Sequence, residues 1–209
     1  MFSRREQKKA EMRHAIVAYT MDRCIKTDFN KVHVTAICRK VGISKVTLFK
    51  YFRTKEDILL YYKSLIGLKL SMATSRNKLQ GLRGLNKMIG IFTEELNSRP
   101  SMVRGVAQYL LNMRPPYRPI VVAPVERALF HPRTDFSVVE IYSIDQLVER
   151  FMLDCILEKS ITKSADAGLL ANQFLAMIYG TVVVTSYKPT GPVGQTFRTT
   201  MNRYVKLLK

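Results

Sequence analysis

The chain has 209 residues, 47% of them hydrophobic, and a formal net charge of +18 with a pI near 10.0. That apolar content excludes a disordered polyelectrolyte, and the length suits a small domain joined to a larger one. The charge calls for an anionic partner, either nucleic acid or a membrane surface.

Helical signals recur along the chain and strand signals are sparse. Ser3 and Glu6 have the spacing of a capping box, and Met12, Ile16, Tyr19 and Ile25 follow on one stripe, which predicts a first helix from Arg4 to Lys26. Asp28 and Phe29 suit an exit in which Asp adopts the left-handed conformation and Phe29 folds back onto the core. A short helix from Val34 to Val41, Gly42, and a second short helix from Ser44 to Phe52 come next, with Ser44 as N-cap. Thr54-Lys55-Glu56-Asp57 caps helix 4, expected at about 55–70.

Beyond Ser71 the pattern predicts helices over Leu82–Asn97, Ser101–Met113 and Ser143–Lys159, the last opened by a Ser143/Gln146 capping box. Arg114–Asp135 holds five of the eight prolines and should be irregular, apart from a short helix near Val125–Phe130. A helix from after Ser164 to Tyr187, a turn at Lys188–Pro192 and a last helix striped by Phe197, Met201, Tyr204, Val205 and Leu208 complete an all-α chain. The longest apolar run, Leu169–Val184, is interrupted by Asn172 and Gln173, so a buried helix is expected and a membrane span is not.

Residues 34–53 carry the strongest motif. Two short helices crossing steeply need a small contact, a glycine turn and apolar inward faces. Cys38, Gly42 and the set Ile37, Val41, Ile43, Leu48 and Phe52 fill those positions. Leu48 and Phe52 lie one turn apart and share the inward side, which turns Lys45, Val46, Thr47, Phe49, Lys50 and Tyr51 wholly or partly outward. Lysines and hydroxyls there suit phosphates, and apolar atoms suit thymine methyls in a major groove. Residues 1–63 hold 15 Lys or Arg against 6 Asp or Glu, a net of +9, whereas the other 146 residues share a second +9. Arg4, Arg5, Lys8 and Lys9 read either as a DNA-reaching arm or as a solvated helix start.

The stretch VTAICRKVGISKVTLFKYFRTKEDIL, residues 34–59, resembles the tetracycline-repressor (TetR) family of bacterial transcription regulators. The resemblance implies a three-helix helix-turn-helix DNA-binding domain over residues 1–53, with helix 4 as connector. A helical domain over residues 71–209 would then dimerise and hold an effector. It also implies DNA contacts at Thr35, Ser44, Lys45, Val46, Thr47, Phe49, Lys50, Tyr51 and Lys55, the last to phosphate. Phe49 stands where the family usually has tyrosine, which removes a phosphate-bonding hydroxyl and keeps the apolar contact.

Met88, Phe92, Tyr109, Met113, Phe151, Met152, Phe174 and Met177 are candidates to line an effector pocket, with plain core as the alternative for each. The last two helices offer apolar surface, with Ala171, Ala176 and Gly180 permitting close approach, so a homodimer through them is expected. Cys24, Cys38 and Cys155 have no disulfide or metal spacing, which suits the cytoplasm. His14, His33 and His131 are scattered, no catalytic spacing occurs, and neither metal nor cofactor nor enzymatic activity is expected. The expected function is a repressor that binds a near-palindromic double-stranded operator and is released by a small apolar effector. The alternative is an architectural factor or coactivator without small-molecule control.

Overall fold

Ser3 closes the predicted box. Its N–H donates to Glu6 Oε2 at 2.9 Å and its Oγ accepts from the Glu6 N–H at 3.2 Å, satisfying two donors at the start of a 23-residue helix. In the computed structural model, which describes residues 2–113, 119–161, 166–189 and 191–208, ten α-helices and no strand occur among the described residues. They are α1 (Arg4–Lys26), α2 (Val34–Val41), α3 (Lys45–Tyr51), α4 (Asp57–Asn77), α5 (Gly81–Ser98), α6 (Pro100–Leu111), α7 (Pro124–Phe130), α8 (Ile144–Leu157), α9 (Ala167–Tyr187) and α10 (Val193–Leu207). Arg114, Pro115 and Pro116, Ser164 and Thr190, named in the predicted loops and helix start, lie outside the described residues.

Helices α1 to α3 form the head, and α4 runs from it into a body built on α5, α8, α9 and α10. In the body α5 packs along both α10 and α8, and α9 along both α8 and α10. Gly84 lets α5 approach α8, because a Cβ there would collide with the Phe151 ring. The helix α6 lies across α1, α4, α5 and α9. The Ser143/Gln146 box opens α8 through reciprocal bonds of 2.9 and 3.1 Å.

Two local expectations change. The helix α4 continues past Ser71 to Asn77. Ser71 is no terminus: its hydroxyl donates to the Tyr142 carbonyl and accepts the Tyr142 N–H, tying the distant 131–142 segment to the middle of the helix. Asp28 is extended, at φ −65° and ψ 142°, and not left-handed. Its carboxylate is held instead by Arg104 of α6 at 2.7 Å, while Phe29 does fold into the core.

At 21 residues and a mean hydropathy of 1.6, α9 has the length and composition of a bilayer span, more than the interrupted run suggests. It packs on α6, α8 and α10 and leaves one face bare.

Candidate nucleic-acid interface

Gly42 makes the turn. It sits at φ +75° and ψ 36°, its N–H and that of Ile43 both bond the Cys38 carbonyl, and an added Cβ would meet nothing within 4 Å. The requirement is therefore backbone conformation and not space. Ser44 then caps α3 by accepting the Thr47 N–H at 3.1 Å, with the two hydroxyls 2.9 Å apart. A helix of seven residues has little stability of its own. Leu48 and Phe52, both fully buried against Ile37 and the rest of the core, hold it in place.

The opposite side of α3 is bare. Val46 is 69% exposed and Phe49 42%, and they share a face with exposed Lys45 and Lys50 at one-turn spacing. No ion pair within the chain engages either lysine among the described residues. Exposed cations and apolar groups on a rigid helix can meet phosphates and base edges together. Thr47 and Tyr51 are half-buried at the margin of this face, and Tyr51 leans on the core. Thr35 is exposed on the first turn of α2.

Arg39 and Lys40, exposed on α2, were missed by the motif reading. The one-turn spacing from Thr35 to Arg39 was the available signal.

Lys55 is placed differently from the expected phosphate contact. Its ammonium donates to the carbonyls of Phe29, Asn30 and Val32 at 3.2, 3.3 and 3.4 Å and lies 4.6 Å from the centre of the Phe29 ring. An ammonium has three donors, and all three are used to fasten the turn between α1 and α2. Arg4, Arg5, Lys8 and Lys9 lie within helical α1, so the solvated helix start holds and an extended arm does not.

Two latches fix the head to the body. At the end of α1, Asp28 pairs with Arg104 and the Phe29 N–H donates to Ser101 Oγ at 2.7 Å. Near the middle of α1, Arg13 meets Glu126 of α7 at 2.8 Å, and both are buried. The Arg13 guanidinium lies 5.2 Å from the Phe52 ring centre and 4.2 Å from that of Tyr61, so a single cation touches the C-terminal end of α3, α4 and α7. Burial and the nearby Glu126 carboxylate push the Tyr61 phenol far above its ordinary range, which keeps it neutral. His14 meets Phe130 beside this pair, with the ring centres 4.5 Å apart and the planes tilted by 51°.

Of the predicted effector residues, Met88, Phe92, Phe151, Met152 and Phe174 are packed with at most 2% exposure. Tyr109, Met113 and Met177 are half-buried. Tyr109 lies by Asp57 and Glu56 at the start of α4, and those carboxylates reinforce burial in raising its phenol.

Residues 20–62, from the end of α1 into α4, match the model of bacterial regulatory proteins of the tetR family. The match covers the end of α1, α2, α3 and the start of α4 and marks that region as tetR-like. Solved structures extend the likeness to the fold of almost the whole chain. Thermus thermophilus FadR, a TetR-family transcriptional repressor in complex with lauroyl-CoA, is 16% identical with a TM-score of 0.64, covering 93% of each chain. A transcriptional regulator from Saccharomonospora viridis in complex with choline is 16% identical with a TM-score of 0.59, over 94% of this chain and 96% of that one. A TetR transcriptional regulator from Rhodococcus sp. RHA1 is 13% identical with a TM-score of 0.58, over 98% and 100%. No curated protein matches the sequence. The matched region and the neighbouring structures agree on an all-helical fold with the helix-turn-helix at its N-terminal end.

Proposed function

We propose that this chain is a tetR-family DNA-binding transcription regulator, a homodimeric repressor that leaves a near-palindromic operator when a small molecule enters its body. The observation that carries the reading is α3, where Leu48 and Phe52 anchor a helix whose Lys45, Val46, Phe49 and Lys50 stand outward. A bare cationic and apolar face costs little when a groove of DNA covers it.

The bare face of α9 supports the dimer. Leu169, Ala176, Gly180, Val184 and Tyr187 recur at helical spacing and are all exposed, and Leu207 of α10 is exposed as well. A second copy laid on this stripe would bury it and set two α3 helices for two half-sites. Release then requires that the body change the spacing of the heads. The Arg13–Glu126 pair supports such transmission, because a shift of α7 acts directly on the cation that touches Phe52.

The test is selection of a binding site from random double-stranded DNA, followed by footprinting and anisotropy titration of the full chain. A near-palindrome with half-sites about one turn or somewhat more apart is expected. Lys45→Ala and Lys50→Ala should each weaken binding several-fold and reduce the salt slope by about 1. No DNA affinity at low salt would overturn the proposal.

A further inference from the structure

Beyond Asp166 the chain has five Lys or Arg and no Asp or Glu. Three of these cations, Arg198, Arg203 and Lys206, are exposed on α10. Gly194 at the start of α10 lies against Asn97 at the end of α5, and the Phe92 and Phe197 rings have centres 6.1 Å apart, so the two helices run antiparallel. The C-terminal half of α10 therefore lies along the first turns of α5. Arg83 and Lys87 are exposed there, and exposed Lys78 stands just before the helix. Among the described residues none of these six cations enters an ion pair.

Carboxylates of the body are engaged away from this face. Glu126 holds Arg13, Asp145 holds Lys63, Glu140 holds Arg150, and Glu94 and Glu95 share Lys69. Asp154 accepts the Gly81 N–H and Glu158 lies against Gly81, which sets both at the positive start of α5. Six cations against those two carboxylates leave a positive surface whose self-repulsion a polyanion relieves. Gly90, in the middle of α5, adds an independent sign. A glycine inside a helix is destabilising relative to alanine, yet Gly90 has no left-handed backbone and a Cβ there would meet nothing within 4 Å. The fold does not require it, whereas a flat floor one turn from Lys87 admits the close approach of another backbone.

We infer that the exposed face of α5 and α10 binds the phosphate backbone of a second DNA duplex, so that one molecule joins two segments of DNA. The inference goes beyond the repressor reading, which uses only the α3 face. The helix α4 begins beside the head and ends next to Lys78, and its 21 residues span about 30 Å. A duplex held by α3 is too stiff to fold back over that distance, so the far face meets a different segment. The groups exposed between the cations of α10 are Gln195, Thr199 and Asn202, polar types that bond phosphate and sugar. Arg198 and Lys206 are two turns apart, about 12 Å along the helix, and a DNA strand offers a phosphate about every 3.4 Å of its axis. A membrane surface asks for apolar anchors, and Leu207 is the only large apolar residue bare on either helix. A protein partner asks for aromatic anchors and few lysines, and neither helix has an exposed aromatic ring.

The test is capture of a second duplex by the full chain. A duplex bearing the selected operator is fixed to beads, saturated with protein and offered a labelled duplex of unrelated sequence at low salt. Retention of the label by protein-loaded beads alone is expected. Arg83→Gln, Lys87→Gln, Arg198→Gln and Lys206→Gln combined should cut retention roughly tenfold or more and lower its salt slope by about 4, with operator affinity kept within about twofold. Gly90→Glu, which sets a carboxylate in open space on the same face, should do likewise and decides the matter if the combined variant does not fold. No retention by the parent chain, or retention unchanged in the variants, overturns the inference. Polyglutamate retained as strongly as DNA, or sedimentation with phosphatidylserine vesicles in place of duplex capture, assigns the face to an acidic protein or a membrane and overturns it too. A further arm needs no operator: the unrelated duplex is titrated by anisotropy against the chain carrying Lys45→Ala and Lys50→Ala. Binding there that the four body substitutions remove upholds the inference even if the regulator reading fails, and operator binding without capture sinks the inference alone.

Discussion

The helices α3, proposed to read DNA, and α7 have seven residues each, and they spend their charged and aromatic side chains in opposite directions. In α3 the buried side is Leu48, and Lys45, Val46, Phe49 and Lys50 face solvent. In α7 Glu126 is drawn inward onto Arg13, and Phe130 lies against His14 and Tyr61. A helix proposed to read DNA leaves its lysines outward, whereas α7 spends Glu126 on joining α1. Arg13 connects the two designs, since it pairs with α7 and covers Phe52 at the end of α3.

The strongest way to break this contrast is to unpair the buried charge of α7. Glu126→Ala leaves Arg13 unmatched beside Phe52 and Tyr61 and should cost about 3–5 kcal/mol, read as a lower midpoint in urea. The double variant Arg13→Met with Glu126→Leu should recover much of that loss, because two apolar groups need no pairing. A double variant as unstable as the single one would show that the pair acts through geometry and not through charge.

In α3 the comparable injury is to its anchor. Leu48→Ala should destabilise the head by about 2–5 kcal/mol and abolish operator binding, and hydrogen exchange should find the loss in the head while the body stays protected. Exchange that rises equally in both would mean that the latches make head and body one cooperative unit.

Ser44→Ala removes the cap of α3 at a cost of about 1 kcal/mol. It should lower DNA affinity in proportion to the fraying of the helix, with the site preference retained.

The smallest effect on stability belongs to Lys50→Ala, expected within about 0.5 kcal/mol of the parent in thermal unfolding, although it weakens DNA binding several-fold. A large loss of stability there would mean that the outward face of α3 has a structural partner. Phe49→Tyr sharpens the same face: a gain in affinity would place a phosphate within reach of the new hydroxyl.

The head was legible in the sequence because its determinants are local. The Ser3/Glu6 box, the Gly42 turn, the Ser44 cap and the one-turn spacing of Leu48 and Phe52 each act within a few residues, and the helices they imply occur at the expected positions. What failed depended on distant partners. Ser71 reads as the edge of a pattern until Tyr142 uses its hydroxyl, and Asp28 is extended with its carboxylate on Arg104 of α6. Lys55 has the spacing of a phosphate ligand, yet three carbonyls from the preceding turn claim its donors.

The same division marks the body. Met88, Phe92, Phe151, Met152 and Phe174 have the size and polarity that suit either a pocket or a core, and only packing from α5, α8, α9 and α10 makes them core. By itself the sequence determined the helical class, the turn and caps of the head, and which face of α3 is bare, because hydrogen bonds and apolar periodicity over one or two turns decide these. Only the tertiary structure decided where the buried charges go: Arg13 to Glu126, Lys63 to Asp145, and Arg127 to the edge of a cavity. A buried charge must find its counter-charge in space, and residues more than a hundred positions apart can supply it with no trace in the local pattern.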